Sequence, residues 1–215
     1  MTAGKRAFDI GLALILSIAL VPMSAAVLAF VLILDGRPAF YVSERSGSGG
    51  RIFRLWKFRT LMAAHGAAGV AGGHNSSRIT RTGRFLRRTR FDEFPQLWNV
   101  FRGDMSFVGP RPPLPSVAAR FPDTYARVLR SRPGITGLAS VFFADHEARA
   151  MAGCADWREA EAVYDRRCVA RKARLDLIYQ RRRGICMDMW LIWLTAGRAF
   201  GLMPPGTPYR ARGRK

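Results

Sequence analysis

The chain has 215 residues, with 35 Lys and Arg against 15 Asp and Glu, a formal net charge of +20. Apolar residues make up 49% of it, which argues against bulk disorder and is enough for one main domain with a sizeable core. The charge calls for an anionic partner: nucleic acid, a membrane surface or a phosphorylated substrate. Arg supplies 31 of the 35 cations; its planar fork suits bidentate phosphate contact, and a G+C-rich coding sequence gives the same bias. Three separated cysteines (Cys154, Cys168, Cys186) and three scattered histidines (His65, His74, His146) argue against a zinc site and against a disulfide-stapled secreted domain.

Residues 10–34 carry no charge. As one helix they would run roughly 38 Å, enough to cross a hydrocarbon core of about 30 Å. A signal peptide fits the basic start and Ser24-Ala25-Ala26, but the apolar run continues well past that point. A spanning helix and a re-entrant helix both remain open. Pro22 in mid-run removes a backbone hydrogen bond and favours a kink, yet proline is common in spanning helices. Lys5-Arg6 on one flank and the basic remainder on the other both prefer the cytoplasmic side, which only re-entry satisfies.

Next come Ala39-Phe40-Tyr41-Val42 and residues 52–58, rich in aromatic and β-branched types, around Ser46-Gly47-Ser48-Gly49-Gly50. This pattern predicts a β-hairpin. Residues 65–75, Ala/Gly-rich and aperiodic, predict a flexible loop. Residues 82–101 predict a helix, started or kinked at Pro95. Residues 109–115 predict a Pro-rich loop, 116–130 a helix, 133–137 a further loop and 157–182 one long charged helix. Residues 187–203 are apolar, with Trp190 and Trp193, and follow Arg181-Arg182-Arg183. That order suits a helix lying in the headgroup region, with a buried core helix as the alternative. Residues 204–215 predict a disordered basic tail.

One acidic pair stands out. Asp92 and Glu93 follow a stretch, 78–90, that holds six arginines and no acid. Such surroundings favour the charged carboxylates, as a nucleophile toward phosphorus or a Mg²⁺ ligand requires; a surface salt-bridge cluster is the commoner use. Lys57-Phe58-Arg59, Gly109-Pro110-Arg111-Pro112 and Pro133-Gly134-Ile135-Thr136-Gly137 offer further anion contacts. No Walker A loop, GxGxxG or GxSxG motif is present.

Taken in order, these segments resemble the bacterial sugar transferase family, the monotopic phosphoglycosyl transferases that start glycan assembly on polyprenyl phosphate. The resemblance runs over about residues 4–200. It is carried by Lys5-Arg6-Ala7-Phe8-Asp9, Glu44-Arg45-Ser46-Gly47, Trp56-Lys57-Phe58-Arg59-Thr60-Leu61, residues 78–87 and 92–100, the long run 102–112, residues 133–138, and Leu175-Asp176-Leu177-Ile178-Tyr179. The resemblance implies a mixed α/β, mostly helical fold. A re-entrant membrane helix over 1–36, broken at Pro22 and flanked by Lys5 and Arg6, precedes a catalytic domain over 37–203. That domain would hold a small β-hairpin and interfacial amphipathic helices around a cytoplasmic core, with a basic tail over 204–215.

The implied reaction moves a sugar-1-phosphate from a UDP-sugar to undecaprenyl phosphate, with release of UMP. Asp92 would be the nucleophile and a Mg²⁺ ligand, and Glu93 would position the dyad or handle protons. Lys57, Arg59, Arg87, Arg111 and Thr136 would contact substrate phosphates. Implied partners are the two substrates and membrane lipid, and the resemblance is compatible with a homodimer. Nucleic acid is not among them, and the implied location is the cytoplasmic face of the bacterial inner membrane.

Three departures stand out. Val21 replaces the family's usual Ser before the proline, Arg90-Phe91 replaces the usual Ser-Leu before the dyad, and residues 139–157 diverge beside the substrate region. The competing functions are a membrane-attached binder of nucleic acid or another acidic polymer, and a catalytically silent scaffold. The first leaves the apolar run idle, and intact Asp92, Glu93, Lys57 and Arg111 argue against the second.

Overall fold

A computed structural model describes residues 2–62, 78–199 and 201–202. The loop expected over 65–75 and the tail over 204–215 lie outside them. The described residues are mostly helical, with two small two-stranded sheets.

Helix α1 spans Ala3–Leu34, and the Thr2 hydroxyl caps it by accepting from the Lys5 N–H. It is long and apolar enough to cross a membrane, and its most apolar 18-residue window is only 11% buried. A core helix of a water-soluble protein would bury most of that surface. The helix passes through Pro22 without interruption, so the expected break between two helices is not seen as a gap in helical structure. Its first half packs through Ala13, Leu12, Leu16 and Leu20 on the main core, and its second half through Val27, Val31 and Leu28 on a smaller one.

Both ends of α1 are tied to the same body. At the start, Lys5 donates to Asp188 at 2.7 Å and lies 3.6 Å from Asp9. Arg6 donates to the carbonyls of Val100 (2.6 Å) and Phe101 (2.8 Å). At the end, the Arg59 guanidinium binds the carbonyls of Asp35, Gly36 and Arg37. These include orphan acceptors at a helix C-terminus, where a cation is favoured.

Strands β1 (Phe40–Ser46) and β2 (Ile52–Phe58) form the expected hairpin, in register from Phe40 opposite Phe58 to Ser46 opposite Ile52. Gly49 and Gly50 take positive φ in its turn (68° and 79°). The helix expected over 82–101 is instead α2 (Arg81–Thr89), a 3₁₀ turn (Phe91–Glu93) and α3 (Gln96–Arg102). The break falls at Arg90, whose left-handed φ of 63° no helix interior accommodates. Residues 116–130 likewise divide into α4 (Pro115–Arg120) and α5 (Pro122–Val128), because Pro122 cannot continue a helix but starts one well.

The proposed loop at 133–137 is a strand. β4 (Gly134–Thr136) pairs in parallel with β3 (Ser106–Val108). Backbone meets backbone closely here: a Cβ on Gly134 would strike the Gly109 nitrogen, and one on Gly137 the Gly109 carbonyl. The chain continues through α6 (Leu138–Phe142) and α7 (Ala144–Met151). The expected long charged helix is α8 (Trp157–Val163), a π-helical turn (Tyr164–Val169) and α9 (Ala170–Arg182). Helix α10 (Ile185–Ala199) buries Asp188, Leu191 and Gly197 and exposes Ile185, Met189, Trp190 and Trp193.

A buried polar cluster joins the first turns of α1 to β3, α9 and α10. Tyr179 donates to Asp188 at 2.6 Å, and Ser106 donates to Asp9 at 3.1 Å. Burial, then the Asp188 carboxylate, holds the Tyr179 phenol well above its ordinary range.

Candidate active site

The left-handed turn at Arg90 aims the 3₁₀ turn, and with it Asp92 and Glu93, into the body. Both carboxylates are only 7% exposed. Glu93 is crowded with cations. Its Oε1 accepts from Lys57 at 3.0 Å and from Arg111 at 3.1 Å, and its Oε2 lies 3.4 Å from Arg90. Lys57 comes from β2, Arg111 from the loop after β3, and Arg90 from the turn itself. Burial alone would raise the Glu93 pKa, but Lys57, then Arg111 and Arg90, outweigh it and hold the carboxyl well below the usual carboxylate range.

Asp92 differs from its neighbour. Its Oδ1 is buried and has no hydrogen-bond partner. Burial pushes its pKa up, Lys57 opposes that rise, and adjacent Glu93 adds to it. One carboxylate therefore absorbs the local positive charge and the other stays unpaired. Lys57, desolvated between them, is itself pushed below the ordinary lysine value by burial. Arg45 lies in the field of Arg111 and is lowered to about 10, by burial first and Arg111 second.

The remaining sequence-derived site residues take other partners. Arg59 is occupied by the carbonyls at the end of α1. The Arg87 Nε donates to the Thr60 hydroxyl at 2.9 Å. The Thr136 hydroxyl is buried and shares a 2.6 Å hydrogen bond with Thr195 of α10. Lys5 and Arg6 bind protein groups, and Pro22 is exposed on α1. Sequence reasoning had not singled out Arg90, beside the dyad, or Arg45, in the field of Arg111. The signals were available: Arg90 abuts the acidic pair, and Arg45 belongs to Glu44-Arg45-Ser46-Gly47.

An unoccupied carboxylate oxygen is a hard donor of the kind Mg²⁺ takes. Mg²⁺ commonly uses one or two carboxylates and completes its shell with water and substrate phosphates. Among the described residues no cluster of three or more ligating side chains exists, so only such a substrate-shared cation fits.

A buried carboxylate pair in a cationic cradle, on a body clasped to an exposed apolar helix, is an arrangement suited to receiving a multiply charged anion. The sequence profile of bacterial sugar transferases matches residues 1–201, and the chain belongs to that family. It is 35% identical over 203 residues to an undecaprenyl-phosphate glucose phosphotransferase of Komagataeibacter xylinus, covering 90% of this chain and 35% of the relative. It is 45% identical over 119 residues to a putative undecaprenyl-phosphate N-acetylgalactosaminyl 1-phosphate transferase of Bacillus subtilis, covering 54% and 66%. A UDP-glucose:undecaprenyl-phosphate glucose-1-phosphate transferase of Xanthomonas campestris is 34% identical over 199 residues, covering 88% and 37%. The matched region thus spans about a third of the Komagataeibacter and Xanthomonas relatives.

Proposed function

We propose that this chain is a phosphoglycosyl transferase that moves a sugar-1-phosphate from a UDP-sugar to undecaprenyl phosphate. The difference in partners within the dyad carries the assignment. Glu93 is held ionised by three cations, whereas Asp92 keeps a buried, unpaired oxygen and a raised basicity. An Asp92 oxygen attacks the β-phosphorus of the donor. The bond from that phosphorus to the bridging oxygen breaks, and its electron pair leaves with UMP. An oxygen of the acceptor phosphate then attacks the same phosphorus and displaces the carboxylate. Lys57 and Arg111, already gathered at Glu93, stabilise charge on the equatorial oxygens. Asp92 is the residue that would hold Mg²⁺, which offsets diphosphate charge when bound.

A membrane site for this reaction is supported by the exposed apolar surface of α1. Placement of both flanks of α1 on the cytoplasmic face of the bacterial inner membrane is supported by the anchoring of both its ends on one body, while the uninterrupted helix at Pro22 lends no support to a break there. The exposed face of α10 suits the headgroup layer.

The test is UMP release from a panel of UDP-sugars by protein held in nanodiscs with undecaprenyl phosphate and Mg²⁺. One donor should give UMP, and Asp92→Asn should lower the rate by at least about 10³-fold, as for loss of a covalent nucleophile. Intact mass should show a phosphosugar on the wild type alone. UMP release that survives Asp92→Asn sinks the assignment.

A further inference from the structure

Helices α5 and α9 enclose a groove of about 490 Å³ that takes no part in the dyad. Its α9 wall is the stripe Ala170, Ala173, Arg174, Leu177, Ile178 and Arg181, spaced by three and four residues so that all lie on one helix face. Arg127 and Thr124 of α5 face it. Gln180 fixes the two walls together: its Nε2 donates to Ser131 Oγ at 2.8 Å, and to the carbonyls of Arg127 and Val128 at 3.4 Å.

The lining holds three arginines and no acid. Some cations elsewhere in the body have carboxylates at hand. Lys57, Arg90 and Arg111 bind Glu93, and Arg120 binds Glu161 and Asp165. Among the described residues no ion pair is formed by Arg127, Arg174 or Arg181, which are exposed and line the groove beside Leu177, Ile178 and Ala173. Unneutralised guanidiniums beside apolar carbon match an amphiphilic anion: phosphate oxygens for the arginines, glycerol and upper acyl carbons for the apolar residues. The Arg181 end leads through Arg182 and Arg183 directly into α10, whose exposed Ile185, Met189, Trp190 and Trp193 form an apolar face suited to the headgroup layer.

We propose that the groove between α5 and α9 binds the headgroup of an anionic phospholipid, with Arg127, Arg174 and Arg181 on its phosphate. The site rests on the membrane placement given above and is independent of the chemistry at Asp92. It gives the body a second hold on the bilayer besides α1, one that depends on lipid charge.

The experiment is native mass spectrometry of the full chain released from uncharged detergent, with equimolar phosphatidylglycerol and phosphatidylcholine. Wild type should retain phosphatidylglycerol about tenfold over phosphatidylcholine, as expected for a few surface arginines on an anionic lipid. The triple variant R127Q/R174Q/R181Q and the single R174E should lose that preference, while the charge-matched R51Q/R54Q/R158Q keeps it. Circular dichroism confirms that each variant is folded, and R174E alone suffices if the triple is not. Equal loss in the control variant would reduce the effect to bulk charge and overturn the site. Displacement of the lipid by millimolar inorganic phosphate would overturn it in favour of a free-phosphate site. Groove-dependent binding of a poly-glutamate peptide without lipid retention would overturn it in favour of an acidic protein partner. Flotation of wild type with pure phosphatidylcholine vesicles tests the membrane placement separately.

Discussion

At the scale of single residues, the two carboxylates of the dyad differ in their partners. Asp92 is buried without a partner and its charged form is disfavoured. Glu93 is the anion that cancels Lys57, Arg90 and Arg111. Asp92→Asn should therefore abolish turnover and raise the melting temperature by about 2–4 °C, the shift expected for roughly 1 kcal/mol in a chain of this size. Glu93→Gln leaves desolvated cations unpaired and should destabilise the protein by about 3–5 kcal/mol. Differential scanning fluorimetry of the two variants side by side checks the opposite signs. If both melt lower, Asp92 has a stabilising partner and its assignment as the free carboxylate falls. The identity of the pair was legible in the sequence as two acids against an arginine run. Its asymmetry was not, because it depends on Lys57 and Arg111, which come from 35 residues before and 19 after Asp92.

At the scale of elements, local pattern carried the hairpin and the existence of most helices, and failed where a contact is distant. The aromatic runs flanking a glycine turn specify β1 and β2 by neighbouring residues alone. Strands β3 and β4 have three residues each and pair across 28 positions, so no periodicity marks them; the only local trace was glycine at 109, 134 and 137. The left-handed residue at 90 was hidden because it is arginine rather than glycine or asparagine. The partners of Arg59 and Thr136 were hidden in the same way, since motif membership does not say which backbone or hydroxyl a side chain meets.

The seam of α6 and α9 carries its own pH dependence. Asp176 is buried, and burial raises its pKa to about 7, partly offset by Lys172 and by the Ala139 N–H. An acid with a raised folded pKa binds its proton more tightly folded than unfolded. Its contribution is therefore fully favourable below about pH 4 and is lost as pH rises toward 7. Wild type should lose melting temperature across that window relative to Asp176→Asn, which carries no titrating group there. Parallel slopes for the two proteins would show that Asp176 titrates normally.

At the scale of the whole molecule, the chain is an apolar helix held at both ends by a basic body. The hold at the start depends on Lys5 and Asp188, which are 14% and 1% exposed and 2.7 Å apart. Asp188→Asn leaves Lys5 with Asp9 at 3.6 Å, and should cost about 3–5 kcal/mol, as for breaking a buried pair. The expected readout is a lower temperature of half-inactivation in nanodiscs, with the activity per folded molecule at low temperature unchanged, because no residue of the dyad is touched. A lower activity at all temperatures would instead tie this cluster to the chemistry. The cluster was readable in part: an aspartate inside each of two apolar helices, at 9 and 188, calls for a buried partner.

The distances in sequence across that cluster bear on how the protein is made. The end of α1 meets Arg59 and Thr80 within 24 and 45 residues, whereas Lys5 waits for Asp188, 183 residues later. At about 5–20 residues per second, that interval lasts roughly 10–40 s on the ribosome. During it, the first two turns of α1 carry Lys5 and Asp9 without Asp188 or Ser106, and the apolar remainder is already long enough to be captured by a bilayer. On the membrane placement proposed above, the helix would enter the bilayer as a nascent segment, its late half seated first. Its amino-terminal end is locked last, when α10 emerges and completes the body.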